Sequence, residues 1–406
     1  MSEWNIQRLE EIIDVNPKVK LTKGAVYPFI DIDKVSPSLR SVTNEECKSY
    51  DGQSCSKFCN GDTVFSRITP CLENRKIAKV NIDAEAAFGS TEFYIFRAKT
   101  NVSDEDFVYY LTSSDAVVLP AINSMTGASG RQRADKRFIE RTKLNVPDLP
   151  AQKRIADILS TYDELIENNN RRISLLEKTA QELYKEWFVR FRFPGYETAE
   201  FENGFPKGWN VVKLGDYVEI KGGKRLPEGK SLCEEKTNHP YIRIRDISSS
   251  KFVSLNKNFE YIDDETFDII NRFTVNSGDI LISIVGTIGA IACVSNNLDG
   301  ANLTENCVKL VNVEHFTNDY LYHFFNSEMG KGVIQAGIVG ATQPKLPLYN
   351  IKRIKLLKPY KELIDMYSDK IKIIDQQIMC LMDKNQNLTK QRDLLLPRLM
   401  SGKLEV

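Results

Sequence analysis

The chain has 406 residues, too many for one ordinary core, which predicts about two or three domains. Hydrophobic residues make up 42% and charged residues 27%, and 55 basic side chains balance 55 acidic ones, so a protein that coats DNA through bulk charge is excluded while local basic patches stay open. No run approaches the ~20 apolar residues of a membrane helix, and the opening MSEWNIQRLEEI lacks the regions of a signal peptide, so a cytoplasmic protein with no membrane partner is expected.

In chain order, EWNIQRLEEII (Glu3 to Ile13) opens the first half. Lys20 and Lys23 follow in a loop, and YPFIDIDKVS (Tyr27 to Ser36) alternates apolar and charged residues as a half-exposed strand should. Cys47, Cys55, Cys59 and Cys71 lie close in sequence, but they form no C-x2-C pair and have no histidine among them, so no metal site is expected. NGDTVFSRI (Asn60 to Ile68) reads as a Gly-Asp turn feeding a β-rich run that carries Arg67. STEFYIF (Ser90 to Phe96) is a further strand, and DFVYYL (Asp106 to Leu111) a short helix. A basic loop and its flank, GASGRQRADKRFIERTK (Gly127 to Lys143), present Arg131, Gln132 and Arg133 at their start.

From Ala151 to about Arg192, apolar residues step by alternating fours and threes: Ile155, Leu159, Tyr162, Ile166, Asn169, Ile173, Leu176, Ala180, Leu183 and Trp187. This is a heptad seam with one polar member, Asn169, bounded by Pro150 and by Pro194-Gly195. Such a helix spans on the order of 60 Å.

The chain then begins again. Trp4-Asn5-Ile6 and Leu9 return as Trp209-Asn210-Val211 and Leu214. YPFIDIDKVS is answered by HPYIRIRDIS (His239 to Ser248), which carries Arg243 and Arg245. NGDTVFSRI is answered by SGDILISIV (Ser277 to Val285), STEFYIF by LTENCVKL (Leu303 to Leu310), and DFVYYL by DYLYHF (Asp319 to Phe324). Matching blocks in one order imply a tandem duplication. The second half has its own basic places: KGGKR, with Lys221, Lys224 and Arg225, and GATQPKLPLYNIKRIKLLK (Gly340 to Lys358), with Gln343 and Lys345. After Pro359 a second seam runs through Ile364, Tyr367, Ile371, Ile374, Ile378, Leu381, Asn385, Leu388, Arg392, Leu395 and Leu399. It too has a single asparagine, Asn385. A seam of this length needs a partner of equal length, and two copies placed head to tail around a twofold would run their helices antiparallel.

The expectation is therefore an α+β fold: two similar mixed-sheet domains at 1–149 and 195–358, separated by two long antiparallel coiled-coil helices at 150–194 and 359–406, with pseudo-twofold symmetry.

Motifs that would carry chemistry are absent or fail on spacing. GGKRLPEGKS (Gly222 to Ser231) has Lys224 where a P-loop needs glycine, and GTIGA (Gly286 to Ala290) lacks dinucleotide-loop spacing. The three histidines, His239, His315 and His323, have no metal-ligand spacing. No catalytic residue is assigned. The charge that remains sits at glycine-rich places related between the halves, where lysines and arginines suit phosphates and glutamines suit adenine edges. The DNA-contacting residues expected are Lys20, Lys23, Arg67, Arg131, Gln132 and Arg133 in the first half, and Lys221, Lys224, Arg225, Arg243, Arg245, Gln343 and Lys345 in the second.

The residues also resemble a known family. LPAQKRIADILSTYDELIENNNRRISLLEKTAQELYKEWFVRF (Leu149 to Phe191) is similar to the central spacer of the specificity subunits of type I restriction-modification systems. LTKQRDLLLPRLMSGKL (Leu388 to Leu404) resembles their C-terminal end, and GDILISIVGTIG (Gly278 to Gly289) and GATQPKL (Gly340 to Leu346) resemble common segments of their recognition domains. The first domain departs from these at GDTVFSRITPCLENRK (Gly61 to Lys76) and GASGRQR (Gly127 to Arg133), as domains reading different sequences would.

The resemblance implies a non-catalytic subunit whose two domains each read one half of a bipartite asymmetric site in double-stranded DNA. It implies that the helix pair sets the gap and docks two modification subunits that methylate adenine, with restriction subunits joining to cleave. Any S-adenosylmethionine, ATP and Mg would then sit on those partners, and this chain would hold no cofactor. The alternatives are a stand-alone DNA-modifying enzyme with drifted motifs, or a coiled-coil scaffold without a DNA role.

Overall fold

The structure is a computed structural model that describes residues 4–43, 46–128, 130–247, 250–256 and 258–406. Glu3, Ser129 and Ser248, which fall within predicted blocks, lie outside the described residues. The chain divides into two compact units, one made of Met1–Asn169 with Lys384–Val406 and the other of Asn170–Asp383.

In the first unit a five-stranded sheet has the order Ile13–Val15, Phe93–Ala98, Thr63–Ser66, Ile77–Val80, Ser41–Val42. Neighbours are antiparallel except the last pair, which is parallel. A two-stranded ribbon joins Trp4–Arg8 to Lys143–Pro147. Another sheet, of four strands, is centred on Val26–Ile30 and Ala86–Gly89. Helices Glu105–Ser113 and Asp115–Asn123 cover the five-stranded sheet with Phe107, Val108, Leu111 and Val118, all buried with Phe65 and Phe96.

The second unit repeats this plan in its five-stranded sheet, its ribbon and its helix pair. Its five-stranded sheet has the order Glu219–Gly222, Cys307–Val311, Ile280–Ser283, Ile291–Val294, Phe252–Val253, again with only the last pair parallel. Asn210–Lys213 pairs with Lys355–Lys358 as the ribbon, and Asn318–Asn326 and Glu328–Ala336 are the helix pair. The third sheet has three strands here instead of four. The duplication read from sequence blocks is thus a duplication of topology, and the α+β class with two mixed-sheet domains holds.

The long helices run Leu149–Tyr184 and Lys361–Met400. Asp148 opens the first by accepting the Ala151 amide at 3.0 Å. Every seam residue read from the sequence is buried or half-buried. In the first unit Ile155 and Leu159 share a core with Leu399 and Met400, Asp163 pairs with Arg392, and Asn169 meets Asn385. In the second unit Lys251 draws Glu177 and Asp375 to one level, and Trp187 lies 5.8 Å from Tyr367. Within each unit the two helices are therefore antiparallel.

The first helix ends earlier than its pattern suggests. Its hydrogen bonding widens to a π-helix over Lys185–Val189, which buries the consecutive residues Trp187 and Phe188 together. Phe191, at φ 58°, and Gly195, at φ 86°, then turn the chain. Phe193 stacks on Trp209 at 5.3 Å, where the second copy begins.

The strands expected to alternate through Asp31, Asp33, Arg243 and Arg245 also stop short, at Ile30 and Ile242. Side chains that close turns on the backbone end them: Asp31 accepts the Ile32 amide at 2.7 Å, and Asp246 accepts the Arg243 amide at 2.8 Å.

Candidate nucleic-acid interface

Each unit carries a tight hairpin at the same point of its topology. In the first unit Thr126 and Arg133 exchange both backbone hydrogen bonds, at 3.0 and 2.9 Å. In the second, Val339 and Lys345 do the same at 2.9 Å each way. Both hairpins start with a glycine at positive φ, Gly127 at 128° and Gly340 at 96°. A Cβ on Gly340 would lie 2.7 Å from the Gln343 carbonyl, so the turn depends on glycine.

Both hairpins also rest on the chain leaving the central strand of the five-stranded sheet. Arg133 bridges to Ile68 and Lys345 to Val285. The Ala134 amide donates to the Arg67 carbonyl at 2.8 Å, and the Leu346 amide to Ile284 at 2.9 Å.

This pairing makes Arg133 the counterpart of Lys345. It corrects the sequence placement of Gln132 and Gln343 at related positions. The first hairpin holds one residue more, so Gln343 corresponds to Arg131; the carbonyls of these two residues are what a Cβ on Gly340 or Gly127 would meet first. Gln132 is half-buried, with its backbone held to Thr69 in both directions at 3.0 Å, while Gln343 is exposed.

In the first unit Glu92 gathers the arginines. Arg133 grips it in a bidentate pair at 2.6 and 2.9 Å, and Arg67 reaches it at 3.2 Å while lying over the Tyr94 ring. The hydrogen bonds from Arg133, helped by the nearby Arg67 charge, hold the Glu92 carboxyl below the usual carboxylate range against its partial burial. Arg131 is exposed on the hairpin tip. Lys20 and Lys23 are exposed in the loop before Val26–Ile30, and no contact joins them to the Glu92 group among the described residues.

In the second unit the segment Leu303–Asn306 is the junction. The Leu303 carbonyl accepts from the Lys224 amide at 2.8 Å, and the Thr304 amide donates to Ile242, next to Arg243, at 3.1 Å. Glu305 pairs with Arg225 at 2.9 Å, and the Asn306 carbonyl accepts from Ile284, which holds the hairpin, at 2.8 Å. Burial would raise the Glu305 carboxyl, but the Arg225 hydrogen bond and neighbouring donors bring it below its ordinary value. Lys224 and Arg225 are exposed, and Lys221 is exposed beside Glu219 at 3.3 Å.

Arg243 and Arg245 are not the free, strand-borne side chains expected. Arg243 is half-buried, and both pair with Glu260, with Asp246 beside them. Their charge is largely compensated because the strand ends before them and folds both into the acidic turn.

Glu92 and Glu305, which orient three of the predicted arginines, are not evident as site residues from sequence. The available signal is the Thr-Glu pair common to STEFYIF and LTENCVKL. Among the described residues no group of three or more His, Cys, Asp or Glu is placed to hold a metal ion, and no helix is long and apolar enough to cross a membrane. The cysteines are free thiols.

Two units of one topology, each presenting a cation-bearing hairpin beside the central strand of its own five-stranded sheet but with different side chains, define a tandem-repeat protein with two equivalent yet non-identical candidate sites. Residues 1–178 and 206–397 match the type I restriction modification DNA specificity domain, and the chain belongs to that family. It is 24% identical to the specificity subunit of the type I restriction enzyme MjaIX of Methanocaldococcus jannaschii, across 100% of this chain and 94% of that one. It is 22% identical to the HindI specificity subunit of Haemophilus influenzae, with 100% of both chains covered. The fold is shared with the S subunit of a type I restriction-modification system from M. genitalium, at a TM-score of 0.52 and 16% identity over 98% of this chain and 96% of that one.

Proposed function

We propose that this chain is the DNA sequence-recognition subunit of a type I restriction-modification complex and is itself non-catalytic. Each unit reads one half of a bipartite asymmetric site in double-stranded DNA. Segments 1–149 and 195–358 act as the readers, and 150–194 and 359–406 act as the spacer that sets the gap and docks two modification subunits. Those subunits supply S-adenosylmethionine chemistry, and restriction subunits joining them use ATP and Mg; all act in the cytoplasm.

The observation that carries this reading is the hairpin repeated at one topological position with different side chains, Arg131, Gln132 and Arg133 against Gln343, Pro344 and Lys345. One topological position gives the two hairpins a like approach to the duplex, and unequal side chains give unequal half-sites.

The test is to express the chain with its modification subunits and map methylated adenines across a genome. Two unlike half-sites at a constant gap are expected. A complex that methylates without sequence preference, or that binds no DNA, would mean that the chain is a scaffold. S-adenosylmethionine binding by the isolated chain would favour a self-contained enzyme.

A further inference from the structure

Both units bury a cation at the foot of the five-stranded sheet. Arg40 directly precedes the edge strand Ser41–Val42, and Lys251 directly precedes the edge strand Phe252–Val253. Arg40 is 9% exposed and Lys251 2%. Their carbonyls accept corresponding amides from the neighbouring strand, Lys79 at 2.8 Å and Cys293 at 2.7 Å.

Each cation meets the second residue of its unit's sheet-covering helix. Arg40 pairs with Asp106, as does Lys79, and Lys251 pairs with Asp319 at 3.0 Å. The same networks reach a buried carboxylate on a long helix. In the first unit this is Asp163, 2% exposed, which accepts the Tyr110 hydroxyl at 2.6 Å and pairs with Arg392 of the other long helix. Arg40 lies over the Tyr110 ring at 5.7 Å, which closes that circuit. In the second unit it is Asp375, 2.5 Å from the Lys251 ammonium, while the Lys251 amide donates to Glu177 of the other long helix at 2.8 Å.

Tyr110 and His323 both stand one turn after their helix aspartate, and His323 lies 2.8 Å from the Tyr367 hydroxyl of a long helix. The side chains differ between units while the places agree. In each, one network ties an edge strand, a domain helix and both long helices.

Apolar packing between a domain and a helix pair tolerates sliding. A buried polar link does not, because another register leaves the Lys251 ammonium without Asp375 in the second unit, and Asp163 without the Tyr110 hydroxyl in the first. The network lies two strands from the one that leads to the hairpin: Ser41–Val42 pairs with Ile77–Val80, which pairs with Thr63–Ser66, ahead of Arg67 and Ile68.

We propose that Tyr110 with Asp163, backed by Arg40 over the Tyr110 ring, and Lys251 with Asp375 are positioning residues that fix each recognition sheet on the helix pair of its own unit and thereby select the gap between half-sites. This rests on the DNA-recognition reading given above.

The experiment uses the full chain with its modification subunits, mapping methylated sites by half-site sequence and gap for wild type, Lys251→Met/Asp375→Leu and Asp375→Asn. The double variant is expected to keep the half-site bases and to methylate sites one base pair shorter or longer several-fold more often than wild type. The isosteric Asp375→Asn, which keeps the packing and removes one charge, should do the same more weakly and serves if the double variant does not assemble. An unchanged gap distribution in an assembled variant overturns the positioning role. Loss of stability with unchanged gaps overturns it too, by showing a structural role only. If the wild-type complex gives no bipartite sites, the function reading fails and this inference falls with it.

Discussion

The Asn169 amide donates to the Asn385 side-chain carbonyl at 2.8 Å, joining the only asparagines in the two seams. A part-buried amide pair favours one register, since a slipped helix breaks this hydrogen bond. We expect Asn169→Leu to lose about 1 kcal/mol in urea unfolding, from the hydrogen bond to Asn385 that it removes. The double change to leucine at both positions should recover this loss and exceed wild type, while widening the range of methylated gaps. If the single and double variants prove equally unstable, the pair has no coupling energy.

The hairpins allow readout and phosphate attraction to be separated. Gln343 is exposed on the hairpin tip, so Gln343→Ala should relax specificity at one base pair by ~1–3 kcal/mol and leave the other positions unchanged. Lys221→Ala and Lys224→Ala should weaken all DNA sequences alike and lower the salt slope of binding by roughly 0.9 for each phosphate no longer neutralised. Binding isotherms at several salt concentrations, on cognate and single-mismatch duplexes, distinguish the two behaviours. Equal losses on every duplex for Gln343→Ala would remove it from base readout.

Glu92 makes a converse prediction for the first unit. It offsets one of the two positive charges of Arg67 and Arg133 and holds both guanidinium groups on one carboxylate. Glu92→Gln should raise affinity for non-specific DNA by freeing positive charge, while discrimination among cognate half-sites falls because the arginines lose their fixed orientation. Competition binding between cognate and random duplexes measures both effects. Tighter cognate binding with undiminished discrimination would show that the pairing does not orient the arginines.

Much of the fold was readable because duplication doubles every signal. Trp209-Asn210-Val211 repeats Trp4-Asn5-Ile6, and the backbone pairs these segments with Lys355–Lys358 and Lys143–Pro147 in equivalent ribbons. Heptad spacing located seam residues such as Ile155, Ile173, Tyr367 and Ile378, all of which are buried. Spacing could not show that Asp163 and Asp375, both beside seam positions, are buried, because their partners Arg392 and Lys251 are far away in sequence. It also overran the strands at Ile30 and Ile242, since an alternating pattern does not reveal a carboxylate that folds back on its own backbone. Counting charges did not reveal that Arg243 and Arg245 are paired, for a related reason: Glu260 lies beyond the block in which they were read.

The restart of the chain at Trp209 should be energetically central to the second unit. Its indole is 5% exposed, stacked on Phe193 and flanked by Phe188 and Phe191. Trp209→Ala removes a large aromatic side chain from packed surroundings and should cost about 3–5 kcal/mol, whereas a surface change would stay within ~0.5 kcal/mol. Chemical denaturation followed by a probe in each unit should show the loss in the second. A loss below ~1 kcal/mol would mean that this aromatic cluster is dispensable.

Asp246 gives a pH-dependent signature for the acidic turn that holds Arg243 and Arg245. Burial and the neighbouring Glu260 push its carboxyl up to about 6 from 3.8, against the opposing pull of Arg245. A carboxyl raised by folding keeps its proton in the native state after the unfolded chain has lost it. Its contribution is therefore fully present below the unfolded value and is lost as pH rises through the folded value. The stability difference between wild type and Asp246→Asn should accordingly shift against wild type from about pH 4 to about pH 6 and level off above. Other carboxylates, such as Glu92 and Glu305, are held low and act in the opposite direction, but they are common to both proteins and cancel in the difference. Urea midpoints of the pair at successive pH values test this. A difference that stays flat from pH 4 to pH 7 would place the Asp246 carboxylate in a well-solvated or fully compensated site, and the turn would then hold its arginines without a titrating group.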